Sequence, residues 1–346
     1  MSLPASLSSP DHFHTLYVAG LTRLLGPEAG PGGYILALAN AALDAMLWQT
    51  LERRLEERHY HLGALVTSAL RQGRALDVPE DDLVVLLKLM AMGFESVGRA
   101  ERRQAGPWEL SYNPLRALRP PRASRRRMAG LYTPFDPEGF HFNRPELQAE
   151  LMWSGELLGR EARLYYNKFP LVELHGILVP EPGCERAQWL TAELHDWAWE
   201  VTQALARTLP GFGLAYNSLG AHASVNHLHF QSFVRTAPLP VALPQWTHNG
   251  GAQPYPSACQ RFDAAAPAWA AIEALHAQGR PYNLIYLPGR LYLLPRRAQG
   301  DYPCAAWTQG HAWYEMAGGV VASSRADYQT LQAEAVAEQL RQVRWD

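Results

Sequence analysis

From Trp108 onward the chain runs in short apolar stretches punctuated by proline, glycine and long helix-like segments, and this texture narrows the fold more than any other feature. Residues 108–112, 163–167, 174–179, 214–218, 228–234, 282–287 and 290–294 are apolar, aromatic or β-branched and predict strands. Helices are predicted over 184–209, 264–278 and 325–343, and a loop over the proline-rich 236–256. Strand pairs separated by long helices make an α+β architecture with an antiparallel sheet. The first hundred residues read differently. Leu36, Leu38, Ala39, Leu43, Met46, Leu47, Leu51 and Leu55 recur at helical spacing over 35–58, and Asp77, Glu80, Asp81 and Asp82 supply acidic start signals for a helix running to Met92. We therefore expect a helical region over 1–105, in which no chemistry is visible, followed by the body of the protein over 106–346.

Composition removes several classes of function. With 31 basic and 33 acidic residues the formal net charge is −2, which argues against a general nucleic-acid or membrane-surface binder. The most hydrophobic run, 83–94, is too short to span a bilayer and carries Lys88. Residues 1–10 have neither a basic start nor an apolar segment, so no secretory signal is expected and a cytoplasmic location is. Cys184, Cys259 and Cys304 are too dispersed for a disulfide framework or a thiolate zinc site. No metal or cofactor is expected.

The most informative stretch runs from Gly213 to Phe233 and contains Asn217, Ser218, Gly220, His222, Ser224, His227, His229 and Gln231. On a strand, alternate side chains share a face, so His227, His229 and Gln231 form a polar row backed by Leu228, Phe230 and Ser232. Burying such a row for structure alone would demand several hydrogen-bond partners. His222, His227 and His229 could together chelate a metal, but no glutamate or cysteine ligand lies near. A Gly-x-Ser-x-Gly elbow and a P-loop are both missing from the sequence. A nucleophilic histidine fits better. An imidazole can attack phosphorus and hold a nucleotidyl group, provided its other nitrogen donates a fixed hydrogen bond and donors face the phosphoryl oxygens. Asn217, Ser218, Gly220, Ser224 and Gln231 are donors of the right kind.

His227-Leu-His229-Phe-Gln231 resembles the His-x-His-x-Gln signature of the galactose-1-phosphate uridylyltransferase branch of the histidine-triad superfamily. The longer stretch from Leu214 to Gln231 is similar to the GDP-hexose phosphorylases, with support from Pro281-Tyr-Asn-Leu-Ile, Leu291-Tyr-Leu-Leu-Pro295 and Trp313-Tyr-Glu-Met-Ala-Gly318. The resemblance implies a histidine-triad-like antiparallel sheet, with an active half over about 106–235 and a degenerate second half over about 236–346. It implies that His229 is the nucleophile, that His227 braces it and that Gln231 holds a phosphoryl oxygen. Asn217 and Ser224 fall where related proteins bind phosphate. Tyr166-Asn167-Lys168-Phe169-Pro170 with His175 resembles a strand of dinucleoside tetraphosphate phosphorylases, which makes Asn167, Lys168 and His175 candidate phosphate contacts; a strand-end histidine bonded to backbone is the other reading of His175. Lys168 gains weight because only it and Lys88 are lysine among the 31 basic residues.

Two further features stand outside the signature. Arg116, Arg119, Arg122, Arg125, Arg126 and Arg127 follow Tyr112-Asn-Pro114, and guanidinium forks suit phosphates; Arg116 and Arg119 are candidate contacts and the rest surface. Tyr166-Asn167 before Pro180 is echoed by Tyr282-Asn283 before Pro295, as a duplicated unit would leave it. The expected function is a nucleotidyltransferase or phosphorylase that cleaves a nucleotide sugar, foremost a GDP-hexose, and passes the nucleotidyl group to phosphate. A dinucleoside polyphosphate phosphorylase and a catalytically silent nucleotide-binding protein are the alternatives. The expected partners are the nucleotide donor and inorganic phosphate, with neither nucleic acid nor membrane, and the resemblance implies a homodimer.

Overall fold

The computed structural model describes residues 3–118 and 130–345. Its N-terminal part is helical: α1 (Pro10–Leu24), α2 (Pro31–Ala41), α3 (Ala45–Arg71) and α4 (Glu80–Met92). The periodic run over 35–58 is two helices rather than one. Asp44 stays extended, and its Oδ1 accepts the backbone N–H groups of Met46 and Leu47 at 2.8 and 3.0 Å, which caps α3 and breaks the chain direction. Helix α2 is buried on every side from Tyr34 to Ala41, so it forms the centre of the helical layer. Helix α4 begins at the predicted acidic turn, Glu80, Asp81 and Asp82.

Strands β1 (Glu101–Ala105) and β2 (Trp108–Tyr112) form a hairpin whose turn is Gly106 and Pro107, and the short helix α5 (Pro114–Ala117) follows. The sheet strands come next: β3 (Leu151–Leu157), β4 (Arg160–Tyr166), β5 (Gly176–Pro180), then helix α6 (Ala192–Thr208), β6 (Phe212–Asn217), β7 (Phe230–Val234) and β8 (Gln260–Phe262). Helix α7 (Ala265–Ala277) precedes β9 (Tyr282–Leu287) and β10 (Arg290–Pro295); α8 (Trp313–Met316), β11 (Gly319–Val321), α9 (Arg325–Thr330) and α10 (Ala333–Val343) complete the chain. Among the described residues the large sheet has eight strands in the order β3-β4-β5-β7-β6-β9-β10-β8, with every neighbouring pair antiparallel. The predicted helix over 325–343 is divided because Leu331 is extended between α9 and α10.

Alternation along the strands fills two cores. Leu214, Tyr216, Leu284 and Tyr286 face the helical layer with Leu194, Trp197 and Val201 of α6 and with Tyr17 and Leu21 of α1. Ala215, Ile285, Tyr292 and Leu294 face the opposite side, against Trp108, Leu110, Trp313 and Leu340. On that second side β2 pairs in parallel with β11. A buried triad ties this small sheet to the large one: Arg235, just past β7, donates to Glu109 at 2.6 Å, and Tyr314 Oη donates to the other carboxylate oxygen at 2.7 Å. Breaking such a buried pair from one side costs about 3–5 kcal/mol. Among the described residues no helix is long and apolar enough to cross a membrane.

The sequence echo occupies non-equivalent positions. Tyr166-Asn167 ends β4, whereas Tyr282-Asn283 opens β9, so the two dipeptides sit at opposite ends of their hairpins.

Candidate active site

A cleft of about 810 Å³ opens where the ends of β6 and β7 meet the connection between β4 and β5. The strand expected over 228–234 begins only at Phe230, so His227, in a bend, and His229 precede it. The backbone there is held by a side chain instead of a strand partner. Gln188, buried to 1% exposure, accepts the His229 N–H at 2.9 Å and donates to the carbonyls of His229 at 3.2 Å and Asn217 at 2.9 Å. Its amide completes both strand ends where the ladder has stopped.

His229 lines the cleft, and its Nδ1 lies 2.7 Å from the His227 carbonyl oxygen. A carbonyl can only accept, so Nδ1 carries the proton and Nε2 carries the lone pair. Burial lowers the His229 pKa to about 4, so the ring is neutral near pH 7. His227 does the bracing. Its carbonyl fixes the His229 tautomer, and its own Nδ1 accepts the Phe142 N–H at 3.1 Å. Its ring packs against Phe135 and Phe142, and burial, followed by the neighbouring His229 and His141, lowers its pKa to about 4.

Gln231 also lines the cleft. The Leu171 N–H donates to His175 Nδ1 at 2.9 Å, so the His175 proton is on Nε2, which donates to Gln231 Oε1 at 2.7 Å. Asn167 Nδ2 donates to the same oxygen at 3.1 Å. With Oε1 doubly engaged, the Gln231 amide nitrogen is left as the donating end. His175 itself is fully buried and is not among the residues of the cleft wall; it bonds Gln231 from behind, and burial lowers its pKa to about 3.

The other candidates divide. Asn217 lines the cleft, and its Oδ1 accepts from Asn283 Nδ2 at 2.7 Å and from the Trp313 N–H at 3.0 Å, which leaves Nδ2 as its donating end. Ser224 is an exposed residue of the cleft wall. Asn167 and Lys168 line it too, with Lys168 Nζ paired to Asp82 of α4 at 2.6 Å. Arg116 lines it and donates to the Phe169 carbonyl at 2.8 Å. Burial draws its pKa down, opposed by Glu315. Ser218 and Gly220 are not part of the cleft wall. Ser218 Oγ accepts the Tyr282 N–H at 3.0 Å and ties β6 to β9. Gly220, at φ 78°, makes the following turn, where a Cβ would lie 2.9 Å from Pro281. Arg119, with Arg122 and Arg125–Arg127, lies outside the described residues.

Gln188 gave no sequence signal, and Asn283 and Glu315 stood in supporting motifs without an assigned role. Glu315 is a cleft carboxyl whose pKa is raised by burial and whose Oε2 accepts the Ala312 N–H at 3.0 Å. The helical region lines the cleft as well, through Gly30–Gly33 at the start of α2 and through Asp77, Val78, Pro79, Asp81 and Asp82 around the start of α4. Among the described residues no three His, Cys, Asp or Glu side chains gather as a metal set, and His222 stands instead beside Tyr302 and the His311 N–H.

This geometry can be set beside known proteins. Residues 109–233 match the family model described as GDPGP1-like, N-terminal domain. The chain is 38% identical over 114 residues to GDP-D-glucose phosphorylase 1 of Homo sapiens, covering 31% of this chain and 29% of the human protein. It is 36% identical over 120 residues to the Danio rerio protein of that name, covering 32% and 34%. The aligned stretch thus spans about a third of the length of these relatives. Among solved structures, yeast Ap4A phosphorylase Apa2 in complex with Ap4A superposes with a TM-score of 0.50 at 16% identity, covering 78% of this chain and 99% of that one, a likeness of fold. Residues 109–233, which carry β2, the 167–175 connection and His227, His229 and Gln231, are therefore similar to the GDPGP1-like N-terminal domain, within a fold like that of Ap4A phosphorylase.

Proposed function

We propose that the chain is a phosphorylase that cleaves a GDP-hexose through a nucleotidyl-histidine. His229 Nε2 attacks the α-phosphorus, a P–N bond forms, and the bridging P–O bond breaks with its electron pair leaving on hexose 1-phosphate. Inorganic phosphate then attacks the same phosphorus, the P–N bond breaks, and GDP departs with neutral His229 restored. The imidazole becomes cationic only while it bears the phosphoryl group, and the His227 carbonyl at Nδ1 stabilises that charge. Gln231 and Asn217 present amide donors to the phosphoryl oxygens, while Arg116 and Lys168 offset the phosphate charge. In this reading residues 106–235 carry the chemistry and 236–346 back it through Asn283.

One observation carries the proposal: His229 is held in the tautomer whose free lone pair belongs to a cleft-lining imidazole. The similarity to GDP-D-glucose phosphorylase 1 over the matched segment favours a GDP-hexose as the donor. The reading includes a cytoplasmic location, in keeping with the free thiols of Cys184, Cys259 and Cys304, and a homodimer that sedimentation would reveal. The decisive experiment is intact mass at neutral pH after incubation with GDP-glucose, other nucleotide sugars and Ap4A, without phosphate. A gain of one GMP from GDP-glucose, discharged by adding phosphate and missing in His229→Ala, is the expected result. An AMP adduct from Ap4A alone would replace the substrate. Tight nucleotide binding with no adduct from any donor would replace the mechanism with that of a silent binder.

A further inference from the structure

The amide of Gln231 has to present nitrogen, not oxygen, to a phosphoryl group, and the hydrogen bonds that set this choice lead out of the cleft into the N-terminal helices. Asn167 is the first link. Its Oδ1 accepts the Phe169 N–H at 3.0 Å, which leaves Nδ2 to face Gln231 Oε1 at 3.1 Å. Asn167 is held in turn through its own carbonyl, which accepts from Asn40 Nδ2 at 2.9 Å. Asn40 sits in the last turn of α2, only 3% exposed, and the same Nδ2 also donates to the Leu36 carbonyl at 2.9 Å. Two carbonyls therefore use both amide hydrogens, and Oδ1 is forced toward Tyr17, whose hydroxyl donates to it at 2.6 Å. Tyr17, in α1, has no exposed surface, and its backbone carbonyl accepts the Tyr166 hydroxyl at 2.7 Å, so α1 is fastened to the end of β4 at the same place.

We propose that Tyr17 and Asn40 are positioning residues for the phosphoryl-binding amide of Gln231, acting through Asn167, so that the N-terminal helices form part of the active machinery rather than a covering layer. Each orientation in the chain is dictated by a group that has only one hydrogen-bonding role. The phenol must donate because Oδ1 accepts, Asn40 must donate because two carbonyls face it, and Asn167 must donate because its oxygen is taken by a backbone N–H. Both Tyr17 and Asn40 lie outside residues 109–233, the segment that matches the family model, so this half of the device is carried by the chain's own N-terminal region. Networks of this kind are worth more than their separate links, because each donor polarises and fixes the next.

The inference rests on Gln231 having the role given it above, and the test separates the two. Tyr17→Phe removes one hydroxyl and keeps the packing; Asn40→Asp, which sets a carboxylate against two carbonyls, is the stronger variant. In 15N-labelled protein the Gln231 side-chain amide signal is identified by its loss in Gln231→Ala. It is expected to shift in Tyr17→Phe, and an unmoved signal overturns the relay whatever the substrate proves to be. With GDP-glucose and phosphate, Tyr17→Phe is expected to lower kcat about tenfold with KM within about twofold, since the amide acts on charge that develops at phosphorus. In a Gln231→Ala background the same substitution should change kcat less than about twofold. A full tenfold loss in that background would show that Tyr17 acts only on general stability and would overturn the proposal. Wild-type protein that turns over no GDP-hexose would instead overturn the assigned reaction, and the amide signal would still decide the relay.

Discussion

The β4–β5 hairpin is joined by residues 167–175, whereas the β9–β10 hairpin is joined by Pro288 and Gly289 alone, with Gly289 at φ 71°. In the short hairpin the ladder from Arg290 opposite Leu287 to Pro295 opposite Tyr282 occupies the backbone from end to end. Its side chains Tyr282, Leu284, Ile285, Tyr286 and Tyr292 fill the two cores. The long connection instead has backbone N–H groups to spare. That of Leu171 fixes the tautomer of His175, and that of Phe169 fixes the amide of Asn167; both side chains then converge on Gln231. A connection longer than its strands require can thus spend main-chain donors on setting side-chain polarity. The tight hairpin reaches the cleft only indirectly, through Asn283 at the back of Asn217.

The largest effect belongs to His229, the proposed nucleophile. His229→Ala is expected to lower phosphorolysis by about 10⁴-fold or more, the scale on which loss of an attacking group is felt. It should also abolish the phosphate-dischargeable adduct in intact-mass spectra. A variant that still forms the adduct would move the chemistry away from this row. Gln231→Ala comes next. Loss of one donor to a developing oxyanion costs about 10²–10³ in kcat, and steady-state kinetics should show that loss with little change in KM.

Acidification acts more widely than on either hairpin. His175, His227, His229, His276 and His311 all have pKa values lowered by burial, to between about 3 and about 4, while an unfolded histidine titrates near 6.5. Between those limits the unfolded chain binds more protons than the folded one, so stability is complete above about pH 6.5 and is lost progressively as pH falls toward about 4. Thermal melts at stepped pH check the window. Turnover by protein that is still folded should hold well below pH 6.5 and fall only as His229 gains its proton near pH 4. An activity midpoint at 6.5 in folded protein would mean that the nucleophile is not the buried ring described above.

The placement of His229 and Gln231 on one side was legible because side-chain alternation is a local property, whereas His227 falls in a bend off the cleft wall; the acidic start of α4 and the strands on either side of the cleft were legible too. The surroundings of His229 and Gln231 were less so. Ser218 and Gly220 lie in a phosphate-like context, yet a hydroxyl and a glycine serve a tight turn equally well, and the turn claimed them. His175 was visible as a polar strand-end residue, but its partner Gln231 is 56 residues away and the Leu171 N–H that sets its tautomer leaves no mark in sequence. Gln188 and Asn40 act on main-chain groups 41 and 127 residues distant, a kind of contact that no periodicity encodes. The fold class followed from pattern, whereas the polarity of each amide followed from tertiary contacts alone.

Asn283 tests how far the short hairpin reaches. Its Nδ2 fixes Asn217 and also donates to the Ala221 carbonyl at 3.0 Å, while its Oδ1 accepts from buried Arg296. Asn283→Ala removes one of the two donors that hold the Asn217 amide, leaving the Trp313 N–H, and kcat is expected to fall about tenfold, ten to a hundred times less than the loss from Gln231→Ala. Equal losses would erase the distinction between an amide that touches phosphate and a residue that backs one.

The smallest effect on catalysis should come from the far strand of the same hairpin. Tyr292 donates through its hydroxyl to Asn249 Oδ1 at 3.0 Å, on the side of the sheet away from the cleft wall. Tyr292→Phe keeps the ring and removes one hydrogen bond, at a cost of about 1 kcal/mol. Denaturant midpoints should register that loss while kcat and KM for the GDP-hexose stay at wild-type values. A variant with unchanged stability but slower turnover would connect β10 to the chemistry, and the division between a hairpin that acts and a hairpin that supports would then have to be drawn through β9 and not around it.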